Sequence, residues 1–532
     1  MSIISIKSVP KLGLFLAIFL LFIITSCTKE KDFDFNKMAQ NKYESEWAVP
    51  VINKKYTLSD LILDTMSYVI SDPNDQFLTV VYNTGDLWSF TAEQMLTLPD
   101  LSQNKTQNIT APSSVSAGTY WEGSYTTQID LNFSTYDLDS MLLKGGLLTT
   151  NINTNINHAA QIIVTIPGVT NGNGSALSFT LNMPYSGGTE MASGSSTSNL
   201  SGYKLNVQTG NKVDVNYTVK VLGDSYPFTT PSYNIQVNTQ FTDLKYKYMV
   251  GYFGQLTQNL VDTASIRLFK AHYENSMLLK EFRAHLFMKN SFGMPIRFRI
   301  NKYIIYTGGT ERDVITPGYT VDGPYPTLSQ FGQTITKHDT VLLNPAMLEI
   351  SPKYQAFNAD GMLNPDNNSN IKNFIRDDSK FSVDARLELP MEGKIMSFAY
   401  RDTLEFHFEN IDAIEYTNFR LYVENAFPIN GLMQVYFADS SYHIVDSLLT
   451  QQSIIPSASI GPAPSFYTSS NGVKTMDILV NKERISRIGN TKWLIVDVHL
   501  SSTNYANQFI RIYGNQYIYV ILGTKVKINA TY

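Results

Sequence analysis

Along most of this chain apolar and polar residues alternate in short runs, and that two-residue period limits its fold more than any other feature. Gln161–Ile166 (QIIVTI), Lys212–Val221 (KVDVNYTVKV) and Tyr517–Leu522 (YIYVIL) are rich in β-branched and aromatic residues. Such residues suit a pleated, half-buried surface, so these runs are expected to be strands. Helical periodicity is brief: over Leu58–Met66, Thr57 can cap while Leu58, Leu61 and Ile62 share a face. The polar stretches Asn104–Ser116, Ser186–Ser201 and Ser457–Asn471 are poor in apolar residues and are expected to be exposed loops. With Cys27 the only cysteine, no disulfide can form within the chain, and a hydrophobic core must hold the fold unaided.

Two segments repeat. Asp262–Phe269 (DTASIRLF) is followed by Ala284–Ile296 (AHLFMKNSFGMPI), and Asp402–Phe408 (DTLEFHF) by Phe419–Ile429 (FRLYVENAFPI). Gly254 and Gly393 precede the aspartates by eight and nine residues, so the period is near 140 residues. A fainter third copy lies in Gln128–Phe133 (QIDLNF) and Leu147–Ile166, where Asn153–Gln161 (NTNINHAAQ) replaces the turn. The turn has a physical logic. Asn290 and Asn425 suit an Asx turn, Phe292 and Phe427 can fold over a core end, and Pro295 and Pro428 belong at strand starts or edges. This pattern resembles strand-turn-strand elements of immunoglobulin-like and late-embryogenesis-type sandwiches. The fold class expected is therefore mainly β, with tandem antiparallel immunoglobulin-like β-sandwich domains behind a leader. The expected organisation is a signal peptide over 1–26, a tether over 27–45, an N-terminal β-rich domain over 46–245, and repeats over 246–390 and 391–532.

Lys7 and Lys11 open the leader, and the thirteen residues Leu12–Ile24 that follow carry no charge. A helix of that length reaches about 20 Å, short of a ~30 Å hydrocarbon core, so it reads as a removable signal. Ile24-Thr25-Ser26-Cys27 resembles the lipobox of bacterial lipoprotein precursors. The resemblance implies cleavage before Cys27, a diacylglycerol and a fatty acid on that residue, and a stable membrane hold from several acyl chains. The alternative is an ordinary cleaved secretory signal. Thr28 is not the aspartate that favours inner-membrane retention, so outer-membrane anchoring is implied. Lys29-Glu30-Lys31-Asp32-Phe33-Asp34 resembles the export signal of Bacteroidota surface lipoproteins and favours the cell surface over the periplasmic face. Triplets of Asp, Ser or Thr, and an aliphatic or small residue resemble O-glycosylation sites of that phylum; they place acceptors at Thr65, Ser140, Thr263, Thr340, Thr403 and Ser447. Aspartate at a turn before a strand would enrich the same triplets without a sugar.

Losing Lys7 and Lys11 moves the formal charge from −5 to −7, which disfavours nucleic acid as a partner. The seven histidines form no metal-ligand spacing, and His272, His285 and His407 lie in alternating runs as surface or interface residues. No nucleophile elbow or phosphate loop occurs, and Asp377 and Asp378 are neighbours that point apart in a strand. Asp366, Asn368, Asn370 and Asp377 fall at positions 1, 3, 5 and 12 of an EF-hand-like register, but Ile371 stands where the loop needs glycine. Calcium is thus a weak candidate and no cofactor is expected. The first functional reading is a noncatalytic scaffold or accessory subunit of an outer-membrane assembly serving nutrient import, secretion or outer-membrane protein assembly. The second is a glycan-binding surface lipoprotein, with Trp88 and Trp121, near glycine-rich turns, as stacking residues. The third is a hydrolase whose site is hidden.

Overall fold

The computed structural model describes residues 42–62, 67–110, 114–133, 136–185, 192–224, 232–265, 276–315, 318–350, 352–406, 411–462, 467–503 and 507–531. The protein is mainly β, in antiparallel sheets. Numbering the strands of eight residues or more, the chain opens with β1 (Lys42–Tyr56), β2 (Leu78–Thr91) and β3 (Leu101–Thr110). It continues through β4 (Tyr120–Asp130), β5 (Asp137–Thr154), β6 (Ala160–Thr170), β7 (Ala176–Met183), β8 (Ala192–Asn199), β9 (Lys212–Leu222) and β10 (Ser232–Tyr252). Next come β11 (Leu256–Ser265), β12 (Arg283–Asn290), β13 (Ile296–Thr307), β14 (Ile335–Leu342), β15 (Tyr354–Leu363) and β16 (Lys380–Pro390). The last are β17 (Glu392–Glu405), β18 (Ile414–Asn425), β19 (Ile429–Ala438), β20 (Gly472–Asn481), β21 (Trp493–Ser502) and β22 (Ile518–Thr531).

These strands build three two-layer units with one strand order. In unit A the layers run β8-β5-β10-β3 and β4-β9-β6. In unit B they run β14-β12-β16-β2 and β11-β15-β13. In unit C they run β20-β18-β22-β1 and β17-β21-β19. The layers face each other through their cores: Trp88 on β2 lies 5.6 Å from Phe298 on β13, and Phe419 on β18 lies 6.0 Å from Phe437 on β19. In unit A, Gly194 on β8 leaves room for Leu181 of β7, whose Cβ would stand 3.5 Å from an added methyl.

The turn between the third and fourth strands, in chain order, of units B and C repeats at atomic detail. Asn290 Oδ1 accepts from Phe292 N at 2.8 Å, and Nδ2 donates to Pro324 O at 2.9 Å and Met294 O at 3.5 Å. Asn425 does the same with Phe427 N (3.0 Å), Pro456 O (3.0 Å) and Ile429 O (2.7 Å). Both asparagines and both rings are buried. In unit A a threonine takes the place: Thr154 Oγ1 donates to Asn234 O at 2.7 Å and accepts from Ile156 N at 3.3 Å, with Ile156 buried where the phenylalanines sit. The two glycines that flank the repeat differ: Gly254 has a φ of +68°, whereas Gly393 lies inside β17 with a Leu278 carbonyl 2.5 Å from any added Cβ.

Two expectations need correction. The N-terminal domain does not hold residues 46–100 as its own, because β1 pairs with β22 of unit C and β2 with β16 of unit B, leaving only β3 to unit A. Each leading strand covers what would otherwise be an open sheet edge. Likewise, the polar stretches expected as loops supply β3 and β8, which sit at the two ends of one layer and need apolar residues on one side at most. The only α-helix near the expected one covers Leu58–Ile62, where Thr57 N and Oγ1 both reach Asp60 Oδ2.

Candidate functional site: an uncharged lattice on unit A

Registers across β3, β10, β5 and β8 align their outward side chains in rows. One row is Thr106, Gln236, Asn153 and Ser193; the next is Asn104, Asn238, Asn151 and Ser195; the third is Ser102, Gln240, Thr149 and Thr197. All twelve are half-buried or exposed, and none carries a charge or an apolar group of size. Some bond to each other: Asn238 Nδ2 donates to Asn104 Oδ1 at 2.7 Å, Ser195 Oγ to Asn151 Oδ1 at 2.7 Å, and Thr149 and Thr197 hydroxyls stand 3.1 Å apart. With strands ~4.8 Å apart and rows ~6.8 Å apart, the lattice covers about 14 by 14 Å. The equivalent layers of the other units differ sharply. Lys289–Asp384 (2.7 Å) and Arg386–Glu388 (3.1 Å) mark unit B, while Arg420–Asp477 (2.7 Å), Lys527–Glu415 (3.0 Å) and a Lys525–Glu46 contact mark unit C.

A cleft of about 50 Å³ opens beside the lattice, where β3 and β4 face each other from opposite layers. Lys105, Gln107, Tyr125, Thr127 and Tyr217 line it. Burial pushes the Tyr217 phenol up to about 12 and raises Tyr125 as well, so both rings stay neutral and can donate. Chemically, the lattice itself offers amides and hydroxyls that both donate and accept, with no ion among its twelve side chains to desolvate.

Residues singled out in the sequence are scattered rather than gathered. Cys27, Thr65, His272 and His407 lie outside the described residues. Thr263, Thr340 and Thr403 are exposed on strands, while Ser140 and Ser447 are half-buried. Four triplets share one local geometry: the carboxylates of Asp262, Asp339, Asp402 and Asp446 each accept from the next residue's N at 2.7–3.0 Å. The calcium register does not converge, since Asp366 turns to Arg297 (3.3 Å), Asn368 accepts from Asn370 N (3.1 Å) and Asp377 pairs with Lys144 (2.6 Å). Asp378 pairs with Arg376 at 2.6 Å. Trp88 is corrected outright: it is 7% exposed and packs among Phe90, Phe298 and Phe381, so it is core and no stacking platform. Trp121 is half-buried on β4, its ring lying over Gly123. Sequence reasoning missed the lattice because its edge strands read as low-complexity loops; the readable signal was Asn, Gln, Ser and Thr at alternate positions of β5 and β10.

No family model matches this chain, and no curated protein matches it. Among solved structures it is similar to a putative secreted protein from Parabacteroides distasonis (11% identity, TM-score 0.26, 51% of this chain and 89% of that one). It is also similar to a triple jelly-roll protein of an archaeal virus (9%, TM-score 0.10, 87% and 96%). A third is VP2 of infectious bursal disease virus (10%, TM-score 0.14, 84% and 85%).

Proposed function

We propose that this chain is a noncatalytic lipoprotein of the outer membrane, anchored through acylated Cys27, whose unit A binds a neutral glycan. The uncharged lattice carries the reading. A polyol hydroxyl both donates and accepts, as every lattice side chain type can, and docking it costs no ion desolvation. The topology supports a matching orientation. β1 starts fifteen residues after Cys27, a reach of ~50 Å at most, and β1 belongs to unit C. Hydrogen bonds and ion pairs join C to B, through Lys280–Glu392 and through Leu78 N donating to Ile512 O at 3.1 Å, and B to A, through Lys144–Asp377 and Lys372–Asp139. Unit A is then the unit farthest along these contacts from the anchor, presented to ligands outside. The test is binding of the full mature chain to immobilised neutral polysaccharides, compared with Asn151→Asp/Asn238→Asp. The double variant should bind at least tenfold more weakly, as two unpaired or repelled contacts cost ~1–3 kcal/mol each. Equal binding by both proteins, or none by the wild type, defeats the reading.

A second reading, an accessory subunit of an envelope assembly, is favoured by large apolar side chains at the two edges of a unit C layer. Trp47 (55% exposed) and Val49 lie on β1, and Val473 and Leu479 (63% exposed) on β20. Copurification from detergent-solubilised outer membrane with wild-type and Trp47→Ser/Leu479→Ser chains distinguishes it: a partner lost only from the variant supports this second role.

A further inference from the structure

On the outer face of unit B, five side chains close a ring of contacts. The His338 imidazole lies on Phe287, with centroids 4.7 Å apart and planes 12° from parallel. The Arg386 guanidinium stands 5.6 Å from the same ring, and its Nη2 reaches Glu388 Oε1 at 3.1 Å. Glu388 Oε2 lies 2.9 Å from His285 Nε2, and His285 Nδ1 lies 3.0 Å from His338 Nε2. Thr340 Oγ1 is 3.1 Å from that same Nδ1. Strand register fixes the group, since His285 stands opposite both Thr340 and Arg386, and Phe287 opposite His338.

The carboxylate beside Nε2 favours the tautomer with its proton there, which leaves the Nδ1 lone pair turned toward His338. A carboxylate on the far nitrogen is how proteins commonly orient a metal-ligating histidine and raise its basicity. Two imidazole nitrogens bound at 2.0–2.1 Å to one ion stand about 2.9 Å apart at a right angle and about 3.4 Å apart at a tetrahedral one. The observed 3.0 Å falls in that interval. Among the described residues no three His, Cys, Asp or Glu side chains converge on one point, so two imidazoles and the Thr340 hydroxyl are the protein's share. The geometry points to a surface site for a divalent transition-metal ion, with His285 and His338 as ligands, Glu388 as the positioning residue and water completing the shell. Copper should exceed nickel and zinc there.

The test titrates the full mature chain with Cu(II), Ni(II) and Zn(II) by calorimetry and records the Cu(II) paramagnetic resonance spectrum. One copper equivalent is expected, with nitrogen hyperfine structure from two imidazoles. His338→Ala, on an exposed strand position, should weaken it at least 100-fold, and Glu388→Gln 10- to 100-fold. His499→Ala, an exposed histidine on β21, should leave it unchanged. Circular dichroism confirms that each variant is folded. Copper binding unchanged in both His338→Ala and His285→Ala overturns the site, as does a wild-type chain that binds none of the three ions.

Discussion

Replacing Asn290 by alanine tests the turn that the repeated units share. In the native turn Oδ1 accepts from Phe292 N at 2.8 Å and Nδ2 donates to Pro324 O at 2.9 Å, at a side chain with no exposed surface. Alanine leaves one N–H and one carbonyl buried and unpaired, at ~1–3 kcal/mol each; the 3.5 Å contact to Met294 O adds little. The expected loss is about 3–4 kcal/mol. Aspartate should be worse, because it keeps the acceptor but sets a carboxylate against the Pro324 carbonyl in a buried place. Threonine should be milder than alanine, because Thr154 already does both jobs in unit A with one hydroxyl. Urea unfolding reports this directly in a chain whose only tryptophan is Trp88, in the core of unit B, with Trp47, Trp121 and Trp493 changed to phenylalanine. A change under about 0.5 kcal/mol for Asn290→Ala, or aspartate no worse than alanine, would refute the account of the turn.

Phe292→Ala and Phe427→Ala, each removing a fully buried ring, should cost on the order of 3–5 kcal/mol by the same unfolding measurement. Gly361→Ala should cost ~1–3 kcal/mol, because the added methyl would stand 2.3 Å from the Trp88 ring, and Trp88→Leu in the same chain should recover part of the loss. Burial raises the Asp402 carboxyl, but Lys54 (2.8 Å) and Tyr56 (2.9 Å) outweigh it and hold the group below the usual range. The folded value is depressed, so its stabilising effect is present above the unfolded pKa and is lost as pH falls through the folded one. Below roughly pH 4, Asp402→Asn should lose less stability per pH unit than wild type in acid titrations of the unfolding midpoint.

The β class, the leading role of period two and the turn were legible because they are local. Asn290 and Asn425 can be read as Asx turns from two residues, and even the third copy showed in QIDLNF and the strand after it, although Thr154 had replaced the asparagine. What stayed hidden depends on partners far along the chain. Nothing in LSQNKTQNIT or ASGSSTSN marks a strand until β10 and β5 supply the other half of its hydrogen bonds. Trp88 looked exposed beside Gly85, yet Phe298 and Gly361 receive it from residues more than 200 positions away. His285 and His338 gave no metal-like spacing because they sit on neighbouring strands rather than one helix or loop.

The order in which the three leading strands are shared out explains more than edge protection. β1, β2 and β3 pair with the last strands of units C, B and A, so the opening segment runs past the units in the reverse of the order in which the rest of the chain builds them. A strand that came from within each unit would protect its edge equally well, but the units would then be tied only by the side-chain and loop contacts between them. Here the register of β1 extends from Lys42 opposite Thr531 to Tyr56 opposite Ile518, which sets the two ends of the described chain side by side. Closing so long a loop costs only logarithmically more than a short one, and the built units shorten the effective distance, so the pairing is affordable in entropy. Its consequence is mechanical. A pull on the residues before β1 acts along a strand paired with β22 at fourteen register positions, and the ladder bonds at alternate positions, loaded together in shear, resist as a set. In unit C, Lys54 and Tyr56 add side-chain ties to Asp402 in the opposite layer. Under the proposed anchor, the array would therefore have a long, continuously paired strand where the load enters, and its uncharged lattice on the unit farthest from that strand.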